Sequence, residues 1–269
     1  MSKNLTLRII VAIIGIPALI YICLTGGYFL LGFTILLVGI GGYELHGMLR
    51  RRNYNVRLYL AIALPTVFIV AAFYDISLFD MAMALFLFHT CLITIDYTRL
   101  GNYDLSLFLS EMFARILPVL YLGLLGSYIM EVGKIPVYGG RLLIYAFMIT
   151  WATDTFAYFG GKNFGRHKFS PTLSPNKTWE GFYSGIFGAI AAGLIARFVL
   201  LDLSWSILLL MAIVGSAAGQ IGDLFESAIK RHCGVKDSSS ILPGHGGILD
   251  RFDSYLFAVP VIYLIYTYW

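Results

Sequence analysis

Long apolar runs recur from one end of this chain to the other, and nearly all of its charge is confined to the short segments between them. A helix rises about 1.5 Å per residue, so crossing a hydrocarbon core takes roughly 20 apolar residues, with a range of about 17 to 25. On that ruler, helices are predicted near Leu5–Leu24, Gly27–Tyr43, Leu58–Phe73, Met81–Ile95, Leu109–Met130, Leu142–Gly160, Gly181–Leu201, Trp205–Ile221 and Tyr255–Trp269, the third and fourth being short. A chain that is 59% hydrophobic and 13% charged, with a mean hydropathy of +0.80, has more apolar side chain than one water-soluble core can hide. The expected fold is an all-α, polytopic membrane helix bundle of about nine transmembrane helices. Residues 1–110 supply N-terminal membrane helices, and 111–269 supply the helices that carry the catalytic loops. The run from Ile9 to Leu24 lacks a small-residue cleavage site, so a retained first helix is expected rather than a signal peptide.

Basic residues set the orientation. With a cytoplasmic N-terminus, fifteen of the 19 Lys and Arg fall on the cytoplasmic side, two (Lys134 and Arg141) fall outside, and Arg115 and Arg197 lie within helices. That bias accounts for the net charge of +4 without a nucleic-acid partner. Cys23, Cys91 and Cys233 are too widely spaced to suggest a disulfide framework or a zinc site. The same alternation puts 161–180 and 222–254 on one face, because two helices separate them.

The segment from Gly222 to Asp253 holds the densest chemistry. If the helix ending near Ile221 continues inward, Asp223, Ser227, Lys230 and Arg231 share one face at i, i+4, i+7 and i+8. Carboxylates in oxygen-only company suit Mg²⁺, which takes one or two carboxylates and leaves its other positions to water and substrate phosphates. Asp223, Asp250 and Asp253 are the candidates. Gly246 and Gly247 beside His245 let backbone N–H groups approach a phosphate, and the lysines and arginines supply positive field. The parts describe phosphoryl or nucleotidyl transfer. Basic helix ends snorkelling to headgroups are the simpler account of Lys230 and Arg231 taken alone.

In the earlier segment, Asp154 sits about 10 Å inside an apolar span, where an ionisable group is expensive and by default functional. The competing reading is structural pairing with Arg115 or a neighbouring hydroxyl. Ser174-Pro175-Asn176-Lys177 is expected to be a turn before a helix beginning at about Thr178, aiming Lys177 and the helix N-terminus at an anion; simple capping, aided by Glu180, explains it equally well. Gly181/Gly185 and Gly215/Gly219 read as helix packing. His46 and His89 show no partner in the sequence.

Taken together, Ser227-x-Ile229-Lys230-Arg231-x4-Lys236-Asp237-x-Ser239-x2-Leu242-Pro243-x-His245-Gly246-Gly247-Ile248-x-Asp250-Arg251-Phe252-Asp253 resembles, without departure, the signature of the phosphatidate cytidylyltransferases, or CDP-diacylglycerol synthases. Thr153-Asp154-Thr155 and Ser174 to Gly181 look like that family too, and the resemblance is strong from about Trp151 to Ser254. It implies transfer of CMP from CTP to phosphatidic acid for phospholipid synthesis, with Mg²⁺ and room for a second, monovalent cation such as K⁺. It also implies a bilayer enzyme of the inner (plasma) membrane with its site facing the cytoplasm; a homodimer is compatible with the sequence, which identifies no interface. On this reading Asp223 and Asp250 hold the metal. Lys177, Lys230, Arg231, Lys236, Asp237, His245, Arg251 and Asp253 act on the reacting groups, and Asp154, Asn176, Ser227, Gly246 and Gly247 bind substrate. The alternatives are a CTP-dependent lipid (polyprenol) kinase and, more remotely, a transporter, which would place its charges nearer mid-membrane.

Overall fold

A computed structural model describes the backbone of residues 3–100, 104–239, 241 and 246–269, and their side chains apart from 3–11 and 96–100. The helices are α1 (Lys3–Thr25), α2 (Gly27–Arg51), α3 (Leu58–Phe73), α4 (Leu78–Leu100), α5 (Leu105–Pro118), α6 (Leu125–Gly133), α7 (Gly139–Phe164), α8 (Trp179–Val199), α9 (Trp205–His232) and α10 (Leu249–Tyr268). A π-helical segment, Val119–Leu124, joins α5 to α6 in one run, Leu105–Gly133. Every expected helix has a counterpart. Six runs are long and apolar enough to cross a membrane: Gly27–Arg51, Leu78–Ile95, Leu105–Gly133, Gly139–Phe164, Trp179–Val199 and Trp205–His232. The protein is an α-helical membrane protein.

Several helices outrun their expected bounds, three of them by the widest margins. α2 continues past Tyr43 to Arg51, α9 passes Ile221 to reach His232, and α10 starts at Leu249, six residues ahead of Tyr255. Hydropathy measures only the part of a helix that is apolar, whereas the backbone hydrogen bonds continue wherever side chains permit. The added turns carry Glu44, Asp223, Glu226, Lys230, Asp250 and Asp253 on rigid helix rather than loop.

One element is not helical. Lys168–Ser170 (β1) pairs antiparallel with Ser174–Thr178 (β2). The segment expected as a turn, Ser174 to Lys177, is therefore a strand, in keeping with the extended backbone that a proline imposes on the residue before it. α8 begins at Trp179, and Thr178 caps it by accepting from the Gly181 N–H at 3.1 Å. The Glu180 carboxylate accepts from the Arg166 and His167 N–H groups at 3.0 and 3.2 Å and pairs with His167 Nδ1 at 2.6 Å, which ties the approach to β1 onto the start of α8.

Contacts sort the helix ends into two sets, so successive helices alternate in direction. At one end Lys134 Nζ meets Asp75 at 2.6 Å and Glu131 at 3.2 Å, and the Tyr138 hydroxyl donates to the Asp202 carbonyl at 3.2 Å. At the other, Arg52 donates to the His232 carbonyl, and the Asn55 N–H donates to the Glu111 carboxylate at 3.0 Å. Glycines set how closely the helices pack. A Cβ on Gly42 would run into the Ala61 carbonyl of α3, and one on Gly222 would lie 2.7 Å from the Asp253 carbonyl of α10. Bilayer helices gain little from hydrophobic burial against one another, so such backbone-to-backbone fits supply much of their association.

Gly42→Val is expected to destabilise the detergent-solubilised protein by about 1 to 3 kcal/mol, the usual scale for overpacking. Gly47→Val, on the same helix with open space around its Cα, should leave the unfolding midpoint nearly unchanged. Thermal unfolding followed by tryptophan fluorescence measures both.

Candidate active site

The two segments singled out by sequence meet at the end of the bundle that holds Arg52 and Asn55. A cavity of about 580 Å³ opens between α7, the β-hairpin, α8 and α9, lined by Asp154, Tyr158 and Lys162 of α7, Asn176 and Lys177 of β2, Phe182 of α8, and Gln220 and Asp223 of α9. Its polar centre is an ion pair: Lys177 Nζ lies 2.6 Å from Asp223 Oδ2. Arg231 makes a second link between the segments, donating from Nε to the Leu173 carbonyl at 3.3 Å. Asp154 lines this cavity within electrostatic reach of Asp223, Lys177 and Arg251. Arg115, named with a neighbouring hydroxyl as the structural alternative, has its Nε 3.7 Å from Glu111.

A second polar cluster lies at the start of α10. Lys230, 9% exposed, has its ammonium 2.6 Å from both Glu226 Oε2 and Asp250 Oδ1. Its helical partner is thus Glu226, one turn back, rather than Asp223, and its charge is neutralised inside the protein. Asp250 Oδ2 accepts from the Gly247 N–H at 2.8 Å and from the Ser238 hydroxyl and N–H at 2.9 and 3.1 Å. Gly246 takes a left-handed φ of 80°, and a Cβ there would lie 3.0 Å from Asp250 Oδ2. The glycine cradle expected to hold a phosphate therefore wraps a carboxylate of the chain itself. The reason is local: Asp250 sits in the first turn of α10, and its carboxylate reaches back to the N–H groups of Gly247 and Ser238, which precede the helix.

The remaining expected residues are spread around these clusters. Ser227 is half-buried on α9; Lys236, Asp237 and Arg251 are exposed; Asp253 is buried beside Glu226. The expectation for His245 falls outside the described residues.

Two participants were not found by sequence. Glu44 of α2, 2% exposed, accepts hydrogen bonds from the Ser238 and Ser239 hydroxyls at 3.0 and 2.5 Å and from the Ile248 and Leu249 N–H groups at 2.9 and 2.8 Å. Its signal was an acid in the otherwise uncharged stretch Gly27–Leu49, the kind of residue that membrane helices rarely carry without use. Tyr121, in the π-helical segment, has a buried hydroxyl within electrostatic reach of Asp253, Glu226, Asp223 and Asp250, and no hydrogen-bond partner for it exists among the described residues. Nothing in an apolar run marks one tyrosine in this way. π-helical turns do recur at functional sites.

Among the described residues no three His, Cys, Asp or Glu side chains form a ready-made metal cage. The oxygen-only donors and the orphaned Tyr121 hydroxyl fit a largely hydrated hard cation better than a caged one. With a carboxylate-and-lysine cavity at one end of a membrane helix bundle, the protein falls in the class of integral membrane enzymes. The chain belongs to the cytidylyltransferase family, whose sequence profile matches residues 6–269. It is 36% identical over 266 residues to the phosphatidate cytidylyltransferase of Bacillus subtilis, covering 96% of each chain. It is also 39% identical over 264 residues to that of Staphylococcus epidermidis, covering 96% of this chain and 97% of the relative, and 37% identical over 259 residues to that of Staphylococcus aureus.

The meeting of the two segments is directly testable. In a background with Cys23, Cys91 and Cys233 replaced by serine, the pair K177C/D223C is expected to be captured by a short thiol-to-thiol cross-linker, whereas K177C paired with a cysteine at Asp202, at the opposite end of the bundle, is not. Equal capture of both pairs, read as a gel shift after proteolysis between the sites, would separate Lys177 from Asp223.

Proposed function

We propose that this protein transfers CMP from CTP to phosphatidic acid, giving CDP-diacylglycerol and pyrophosphate for phospholipid synthesis. The relatives supply the substrates' identity through their names as phosphatidate cytidylyltransferases. The observation in this chain that carries the reading is the Lys177–Asp223 pair at the centre of a cavity formed by both signature segments. Two polyanions must be brought together there, which calls for cations and a carboxylate able to share a divalent ion.

An oxygen of the lipid phosphate attacks the α-phosphorus of CTP. The new P–O bond forms as the bond to the bridging α–β oxygen breaks, and pyrophosphate leaves with that electron pair. The lipid phosphate is already anionic near neutral pH, so no strong base is needed, and the protein's work is positioning and charge stabilisation. Lys177, Arg231, Lys236 and Arg251 offset the charge of the two substrates. Asp154 and Asn176 line the space in which the nucleotide and lipid headgroup meet. Lys230 acts at one remove, because its ammonium holds Asp250 and Glu226. Bound Mg²⁺ would supply charge neutralisation on the nucleotide phosphates. Asp223, with 36% of its side chain exposed, would hold it; Asp250 would be its second ligand only on giving up one of its partners Lys230, Ser238 or the Gly247 N–H, and a monovalent cation such as K⁺ belongs to the same reading.

The lipid keeps its acyl chains in the bilayer and reaches the cavity from the side. Exposed Tyr158, Trp179 and Tyr183 border that approach, as aromatic rings do at a membrane interface. Taking α1, α3 and α10 as spans with the six longer runs makes nine. A cytoplasmic N-terminus then turns the site to the cytoplasm, where CTP is available.

With CTP labelled at the α-phosphate, label is expected in the lipid product, while γ-label leaves as pyrophosphate; γ-label in the lipid would instead identify a CTP-dependent kinase. Asp223→Asn is expected to lower turnover by about a hundredfold or more at saturating Mg²⁺, since an amide is a poor ligand for a hard divalent cation. Near-normal turnover in that variant would remove Asp223 from the metal site. A cysteine at 177 should react in intact cells only with membrane-permeant thiol reagents.

A further inference from the structure

We infer that Glu44 is a positioning residue for the reaction: from the N-terminal third of the chain it sets the geometry of the segment that presents Asp250. This rests on the cytidylyltransferase reading of the site. Glu44 lies outside both signature segments and contacts neither Lys177 nor Asp223, yet its buried carboxylate accepts four hydrogen bonds, all from residues about two hundred positions further along the chain.

The geometry is specific to a carboxylate. Oε1 receives the Ser239 hydroxyl and the Ile248 N–H; Oε2 receives the Ser238 hydroxyl and the Leu249 N–H. Each oxygen therefore faces one backbone donor that cannot be turned around. Glutamine offers one acceptor oxygen and one NH₂, so one of the two backbone N–H groups would face another donor in a site that excludes water. Aspartate is one methylene short. The four donors come from both sides of residues 242–245, so a single buried side chain joins 238–239 to the start of α10. Ser238 extends the link, because its hydroxyl also contacts Asp250 Oδ2 at 2.9 Å and its N–H donates to the same oxygen. Space is equally restricted: a Cβ on Gly247 would lie 2.7 Å from both Glu44 oxygens and would collide with the Ser238 hydroxyl. Asp250 is thus held from one side by Lys230 and from the other by a segment that Glu44 pins.

Hydrogen–deuterium exchange on the detergent-solubilised full chain, with and without Glu44→Gln, tests the idea together with kinetics. The expected result is faster exchange confined to 238–250, unchanged exchange in α7 and α8, and a fall in kcat of about a hundredfold, the scale that a misplacement of about 1 Å produces. The KM for CTP should change far less, because the groups lining the Lys177 cavity stay in place. Unchanged exchange at Ile248 and Leu249 would show that Glu44 does not pin the segment. Local loosening with normal kcat would show that the pinning does not matter to the reaction, and loosening throughout the bundle would reduce Glu44 to a general structural role. Should Glu44→Gln fail to fold, Ser239→Ala removes one of the four donors and is expected to produce the same local pattern with a smaller loss of kcat. Exchange needs no substrate, so it reports on the clamp even if the wild-type protein were found not to release pyrophosphate from CTP and phosphatidic acid.

Discussion

Hydrocarbon cannot solvate a peptide group or an ion, and this structure is organised around that fact. Backbone hydrogen bonds are satisfied within helices, and side-chain charge is carried to the helix ends or paired where it is buried. Lys230 between Glu226 and Asp250 is the clearest case, and Lys134 between Asp75 and Glu131 is its counterpart at the far end of the bundle. Because charges are excluded from the middle, those that remain crowd the two ends, and one end becomes dense in carboxylates and cations.

The site also depends on helices that outrun the apolar stretch. α9 carries Asp223 to the cavity and Lys230 two turns further to the second cluster, both on one continuous rod. α10 begins early enough that Asp250 stands in its first turn, where Lys230, Ser238 and the Gly247 N–H surround its carboxylate. Gly222 lets α9 and α10 touch backbone to backbone at this level, so the two rods bearing the acidic groups are held in register by contact rather than by loop. Rigid supports of this kind suit a reaction whose catalysis is mainly placement of two anions.

Much of this was legible beforehand. The length of the apolar runs announced each helix, the two spans between the polar segments predicted their shared face, and the contact between Lys177 and Asp223 agrees with that alternation. Asp154 was marked by its cost inside an apolar span, and it does line the cavity. What misled was chemistry that looks alike in one dimension. A glycine-rich bend suits a phosphate or a carboxylate equally well, and Lys230 reads as a free cation until its two acidic partners are seen. Glu44 went unremarked because its donors lie about two hundred residues away in the sequence.

By itself the sequence determined that this chain lives in a bilayer, that its helices alternate, and that its reactive groups gather on one face, because those properties follow from local hydropathy and charge summed along the chain. Only the tertiary structure decided which charges face substrate space and which neutralise one another. That choice depends on distances of a few ångströms between residues on different helices. Lys177 and Lys230 are the same residue type in adjoining motifs, yet one meets Asp223 in an open cavity and the other is sealed between two carboxylates.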